Sequence, residues 1–182
     1  MFKLAYHKNN KLEKYNHSDV YTKEQNSSYE RIIIGLAQGH ISTVLELTAA
    51  LFEPLYMLYV LHTPRTNNEP GRYQSESLTY DEINTILNRF KDFFENDPRH
   101  DLWIHSPETN TTIIYDRHNR IYLYGFTDKH IHIIEEMGLK KGAINIPSPH
   151  VHNYNAEYDI FESKLINEFE WKRTSLRDED TQ

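Results

Sequence analysis

Residues 101–126, DLWIHSPETNTTIIYDRHNRIYLYGF, hold the strongest pattern in the chain and decide its fold class. Three apolar runs, Leu102 to His105, Thr111 to Asp116 and Ile121 to Phe126, are separated by the turn-rich segments SPETN and DRHN. Runs of this length bounded by Pro, Asn, Asp and Ser read as consecutive strands of an antiparallel meander. Side chains alternate across a strand, so Leu102 and Ile104 share one face while Trp103 and His105 share the other. Ile121 and Leu123 likewise oppose Tyr122 and Tyr124. One face is aliphatic and suits a core; the other is aromatic and suits recognition.

Outward from the meander, the flanking segments supply helices and further strands. Thr79 to Asn96 reads as a helix, with a capping box of Thr79 and Glu82, a staple of Leu78 and Ile83, and a stripe of Ile83, Ile86, Leu87, Phe90 and Phe94. Ser27 with Glu30 fits a second capping box, followed by the stripe Ile32, Ile33, Leu36 and Ala37, so a helix is expected there, ending near Gly39. A third helical face runs from Ile41 to Phe52. Residues 55–62, LYMLYVLH, are apolar on both sides and suit a central strand, and RYQSESL suits a returning one. Thr127 opens a short helix that Gly138 closes, AINIP (143–147) suits a last strand, and Asn155 caps a final helix. The expected fold is α+β: a mainly antiparallel sheet of about five or six strands flanked by four or five helices. Residues 1–26 read as a polar N-terminal arm with one edge strand around Leu4, residues 27–172 as a single domain, and residues 173–182 as a charged tail.

Composition narrows the function classes. The chain has 182 residues, enough to enclose a core without cross-links, and thirteen Tyr and eight Phe supply bulk where the hydrophobic fraction is only 38%. A formal charge of −7 opposes a phosphate backbone, so nucleic acid is not an expected partner. The absence of cysteine excludes thiol catalysis, disulfides and Cys-ligated metal. The N-terminal MFKLAYHKNNKLEK has no apolar run of signal-peptide length and no stretch approaches eighteen consecutive apolar residues, so the expectation is a soluble, cytoplasmic protein. Six glycines and the lack of a P-loop, GxGxxG, GxSxG or HExxH leave nucleotide-dependent chemistry without a motif.

Three constellations remain. Asp116, His118 and Asn119 lie in the DRHN turn, where Asp116 can orient His118 as a base or metal ligand, although Asp and Asn are also ordinary turn formers. In PSPHVHNYNAEYD, residues 147–159, an extended backbone would point His150 and His152 to the same side, with Glu157 or Asp159 adding an oxygen. Two imidazoles and a carboxylate suit zinc, iron or manganese, while the plain alternative is a proline-stiffened connection with half-buried histidines. The third is the aromatic face, Trp103, His105, Tyr115, Tyr122 and Tyr124, either exposed for a partner or covered by a helix. His130 and His132 are expected to point apart on a helix and serve as surface or cap residues.

Weighed together, these features favour a non-catalytic binding protein that engages a protein partner through its acidic, Tyr/Trp/His-rich surface, for example an inhibitor or immunity-type protein that neutralises a basic toxin. The alternative is a metal-assisted hydrolase with His118, His150 and His152 as ligands, joined by Glu157, and with Asp116 or Glu157 as orienter or base. A structural or oligomer-forming protein is the third class. Partner, substrate and oligomeric state are not written in the sequence.

Overall fold

The computed structural model describes residues 2–181. In chain order the strands and helices are β1 (Leu4–Lys8), β2 (Lys11–Lys14), β3 (Val20–Gln25), β4 (Glu30–Gly35), α1 (His40–Thr48), β5 (Leu55–Leu61), β6 (Gly71–Leu78), α2 (Tyr80–Arg89) and α3 (Lys91–Asn96). After the domain's midpoint come β7 (His100–Ser106), β8 (Thr111–Tyr115), β9 (Arg120–Tyr124), α4 (Asp128–Glu136), β10 (Lys140–Lys141), β11 (His150–His152), α5 (Asp159–Glu168) and β12 (Lys172–Thr174). Among the described residues no helix is long and apolar enough to cross a membrane.

The meander forms as the alternation requires. β7, β8 and β9 pair antiparallel and sit in the middle of a nine-stranded sheet of order β10-β3-β4-β9-β8-β7-β5-β6-β12, larger than the five or six strands expected. The fold class, α+β, is as expected. Ile32 and Ile34 from β4, Met57 and Tyr59 from β5, Leu102 and Ile104 from β7, Ile113 and Tyr115 from β8, and Ile121 and Leu123 from β9 all point into one core. Apolar residues from the helices, including Val44, Ile83, Phe94, Ile134 and Leu165, pack against that same set. The intervening residues, among them Tyr56, Leu58, Trp103, Thr112, Tyr122 and Tyr124, remain half-exposed on the opposite face. A second, three-stranded sheet of order β11-β1-β2 stands beside the large one.

The extra strands come from segments that local pattern misassigned. Ser27 to Gly39 was expected to be helical, yet Glu30–Gly35 is β4, paired with β3 and β9. Three consecutive isoleucines favour a strand because β-branched chains lose rotamer freedom in a helix. The Ser27/Glu30 box is replaced by an Asn26 turn, whose Oδ1 accepts from the backbone N–H of Ser28 (2.8 Å) and Tyr29 (2.9 Å) and closes the β3–β4 hairpin. Residues 1–26, expected as an arm with one edge strand, supply β1, β2 and β3. AINIP is not a strand; the short strand lies further on, at His150–His152, antiparallel to β1 with Leu4 opposite His152. The helix expected over Thr79 to Asn96 breaks at Phe90, where φ is −106°, into α2 and α3, and its Thr79/Glu82 capping box forms. The tail is anchored in part: β12 pairs with β6, and Asp180 meets Arg72 at 2.5 Å, both buried.

Candidate metal centre

The β8–β9 turn carries the first part of the site. Asn119 takes the left-handed conformation at φ +60°, and Asp116 O accepts from its backbone N–H. Asp116 Oδ1 accepts from the N–H of His118 (2.9 Å) and Arg120 (2.8 Å), and Oδ2 from Arg120 Nε (2.9 Å). The second oxygen also lies 2.8 Å from the Arg120 terminal nitrogen and 3.5 Å from His118 Nδ1. Burial opposes ionisation of this carboxyl, but the bond from His118 and the Arg120 guanidinium outweigh it and hold Asp116 well below the usual carboxylate range.

Two buried groups brace the same turn from behind. Lys3 Nζ donates to Asp116 O (3.2 Å) and to Phe94 O (3.2 Å), and burial pushes its pKa down to about 8 against the pull of Asp116. His17 Nε2 donates to His118 O at 2.9 Å; a carbonyl only accepts, so this nitrogen carries the proton. Tyr115 Oη adds a bond to Asn119 Oδ1 at 2.7 Å. The turn therefore presents His118 on a fixed backbone.

The second part comes from the small sheet. β11 is extended, so His150 and His152 point to the same side, and its pairing with β1 lays them over the turn. His118 is 4.9 Å from His152 and 5.2 Å from His150 between ring centres, and the two strand histidines are 5.2 Å apart. One ligand nitrogen from each of the three rings lies within 4.8 Å of the others. A tetrahedral zinc ion would hold such nitrogens about 3.4 Å apart, a closure that side-chain rotation can supply.

Proton placement favours ligation. His150 Nδ1 sits 3.2 Å from Pro147 O and must donate there, which leaves its Nε2 as the lone-pair atom. His118 Nδ1 lies 3.5 Å from Asp116 Oδ2 and 3.4 Å from an Arg120 terminal nitrogen, and these two groups set the orientation of its ring. His152 Nε2 is shut off from solvent and has no hydrogen-bond partner among the described residues. Burial, then repulsion from His118 and His150, lowers the His152 pKa to about 3; burial followed by His118 lowers that of His150. Both rings are neutral at pH 7, the form a metal requires. His150 is exposed, so the cluster opens to solvent on one side.

No protein-family model, curated protein or solved structure matches this chain.

The carboxylates expected to complete the site are elsewhere. Glu157 is not part of the cluster; its backbone N–H is taken up by the Asn155 cap at 3.0 Å. Asp159 pairs with Arg99 (3.0 Å) and Arg65 (3.1 Å). Both Asp116 oxygens are engaged, Oδ1 by the His118 and Arg120 N–H groups and Oδ2 by the Arg120 guanidinium. His130 is a buried cap residue of α4 facing Thr127 Oγ1 at 3.0 Å, and His132 is an exposed partner of Glu136.

The aromatic face divides. Trp103, His105, Tyr122 and Tyr124 lie half-exposed on the uncovered side of the sheet, with Arg31 4.9 Å from the Tyr122 ring and donating to Tyr124 Oη at 2.7 Å. Two shallow depressions of about 600 and 500 Å³ share Trp103 and Thr112 as their common wall. Tyr115, expected on this face, is instead 1% exposed in the core, because it pairs with Leu102 and Ile121 and so has their inward phase. Lys3, His17 and Arg120 were not singled out from the sequence; Lys3 and His17 carry no spacing signal toward a turn a hundred positions away, and Arg120, beside Asp116 in the chain, belongs to no motif.

Proposed function

We propose that this chain holds one divalent ion of zinc type through His118, His150 and His152, and that the ion's remaining position serves metal-assisted hydrolysis. The observation that carries this reading is the convergence of three imidazoles, one from the β8–β9 turn of the large sheet and two from β11 of the small one, within 4.8 Å. Three protein ligands with an open position are the arrangement of catalytic rather than structural zinc, where a bound ion lowers the pKa of its water and polarises a substrate oxygen. Asp116 orients His118, and Lys3 and His17 hold the turn that carries both. The ion would also fasten the three-stranded sheet to the end of the large one, since its ligands come from each.

Cobalt(II), which reports its geometry in visible absorption, tests this directly. Titration of the full chain is expected to give intense four- or five-coordinate bands that saturate at about one equivalent, as a single three-histidine site requires. Only the pale spectrum of hydrated cobalt would overturn the reading.

A second reading rests on a different observation, the uncovered aromatic face. An acidic protein with Trp103, Tyr122 and Tyr124 half-exposed on a rigid sheet has a surface suited to a protein partner. Trp103→Ala and Tyr122→Ala are expected to leave the domain folded, each costing no more than about 2 kcal/mol in urea denaturation because the rings are only partly buried. A loss of more than about 4 kcal/mol at either position would make the face part of the core and remove this reading.

A further inference from the structure

The ligand set has an electrostatic consequence that deepens the metal reading and rests on it. Imidazole binds a metal as a neutral ligand, so a divalent ion held by His118, His150 and His152 would keep both of its charges. The nearest carboxylate does not offset them: Asp116 is already matched by Arg120, whose guanidinium lies 2.8 and 2.9 Å from it. Glu157, the acid whose spacing suggested a fourth ligand, is outside the cluster. Arg117 presses positive potential onto both His150 and His152. On a chain of formal charge −7, this end of the sheet would become a cationic spot that opens to solvent at His150.

From this charge count we infer that the open position of the His118/His150/His152 centre takes a phosphate-type dianion, either inorganic phosphate or the phosphoryl group of a monoester. A dianion cancels the two charges that three neutral ligands leave on the ion, and its remaining oxygens can accept from a neighbouring guanidinium. A carboxylate ligand cancels only one. The substrate class for the hydrolytic reading is accordingly a phosphomonoester, with phosphate as the product that stays on the ion until displaced.

The experiment uses the full chain loaded with cobalt(II), freed of unbound metal, and titrated separately with inorganic phosphate, methyl phosphate and acetate while the visible bands are followed. Phosphate and methyl phosphate are expected to shift the bands at concentrations at least about tenfold lower than acetate. Arg117→Gln is expected to weaken both phosphate titrations about tenfold while cobalt still loads, because the positive potential that Arg117 places on His150 and His152 is lost and no ligand is replaced. A response to inorganic phosphate alone would assign the site to the free ion; a response to both admits the ester. Cobalt bound with bands that phosphate does not move, or that acetate moves equally well, would overturn the inference and leave the metal site standing. Failure of cobalt to bind would remove the metal reading itself.

Discussion

Arg99→Ala is expected to cost about 3–5 kcal/mol of stability, which for a chain of this size is a fall of roughly 10 °C or more in Tm. Arg99 is fully buried, and its guanidinium is shared among four partners. Nε and one terminal nitrogen grip the two oxygens of Asp97 at 2.7 and 2.8 Å, and the other terminal nitrogen donates to Glu162 at 2.7 Å. Asn155 O and Asp159 complete the set at 3.1 and 3.0 Å. Glu162, itself buried, also accepts from Thr66 Oγ1, Asn68 Nδ2 and the Arg65 N–H, so one network ties the 65–68 loop, the α3–β7 corner and α5. Removing the cation leaves Asp97 and Glu162 as buried charges without a counterion, which is where the expected cost arises.

The pH dependence supplies a check on that cause. Burial resists ionisation of Glu162, but the bonds from Thr66 and Arg99 outweigh it and hold its pKa below the ordinary 4.5. A depressed folded pKa means that stabilisation is complete above the unfolded value and is lost as pH falls through the folded one. In Arg99→Ala the buried Glu162 prefers to be protonated, so the mutant's deficit narrows as pH falls from the variant's raised folded value through the depressed native one. Urea denaturation at pH 7 and pH 4 measures both. A deficit under about 1 kcal/mol, or one that does not change with pH, would show that the network does not carry α5.

The second large effect concerns metal. His150→Ala with His152→Ala is expected to lower cobalt or zinc affinity by a factor of about a thousand or more, since second-sphere changes alone typically cost 10–100-fold and here two of three ligands go. The fold should persist: β11 is held to β1 through backbone pairing, and among the described residues neither imidazole makes a hydrogen bond that spans the two sheets. Asp116→Asn is the milder companion, expected to weaken metal about 10–100-fold by removing the carboxylate that orients His118. Calorimetric titration of the variants against the native chain gives the ratio. Unchanged affinity in the double variant would place any bound metal elsewhere.

Some of this was legible in the sequence, for identifiable reasons. The meander over 101–126 was readable because its inward residues repeat every second position and its turns are built from Asn, Asp and Pro. The α2 start was readable because a capping box is a local chemical bond, here Thr79 N–H to Glu82 Oε2 at 2.8 Å. β4 was not, since Ile32, Ile33 and Leu36 fit a helical stripe while Ile32, Ile34 and Leu36 fit strand alternation, and pairing of β4 with β3 and β9 settles the choice. Tyr115 was placed on the wrong face because the phase of β8 follows its register with Leu102 and Ile121. For the site, the common side of His150 and His152 followed from strand alternation. Their meeting with His118 did not, because it depends on β1, near the other end of the chain, pairing with β11 and carrying it to the β8–β9 turn.

The central claim is that His118, His150 and His152 form one metal site, and elemental analysis of untagged protein, purified without chelator and again after reloading, tests it most directly. The expected result is about one equivalent of zinc, iron or manganese per chain, removed by chelator and restored by the ion, and absent from the His150→Ala, His152→Ala protein. Metal that is neither retained nor restored by the native chain, or that is held equally by the double variant, would contradict it.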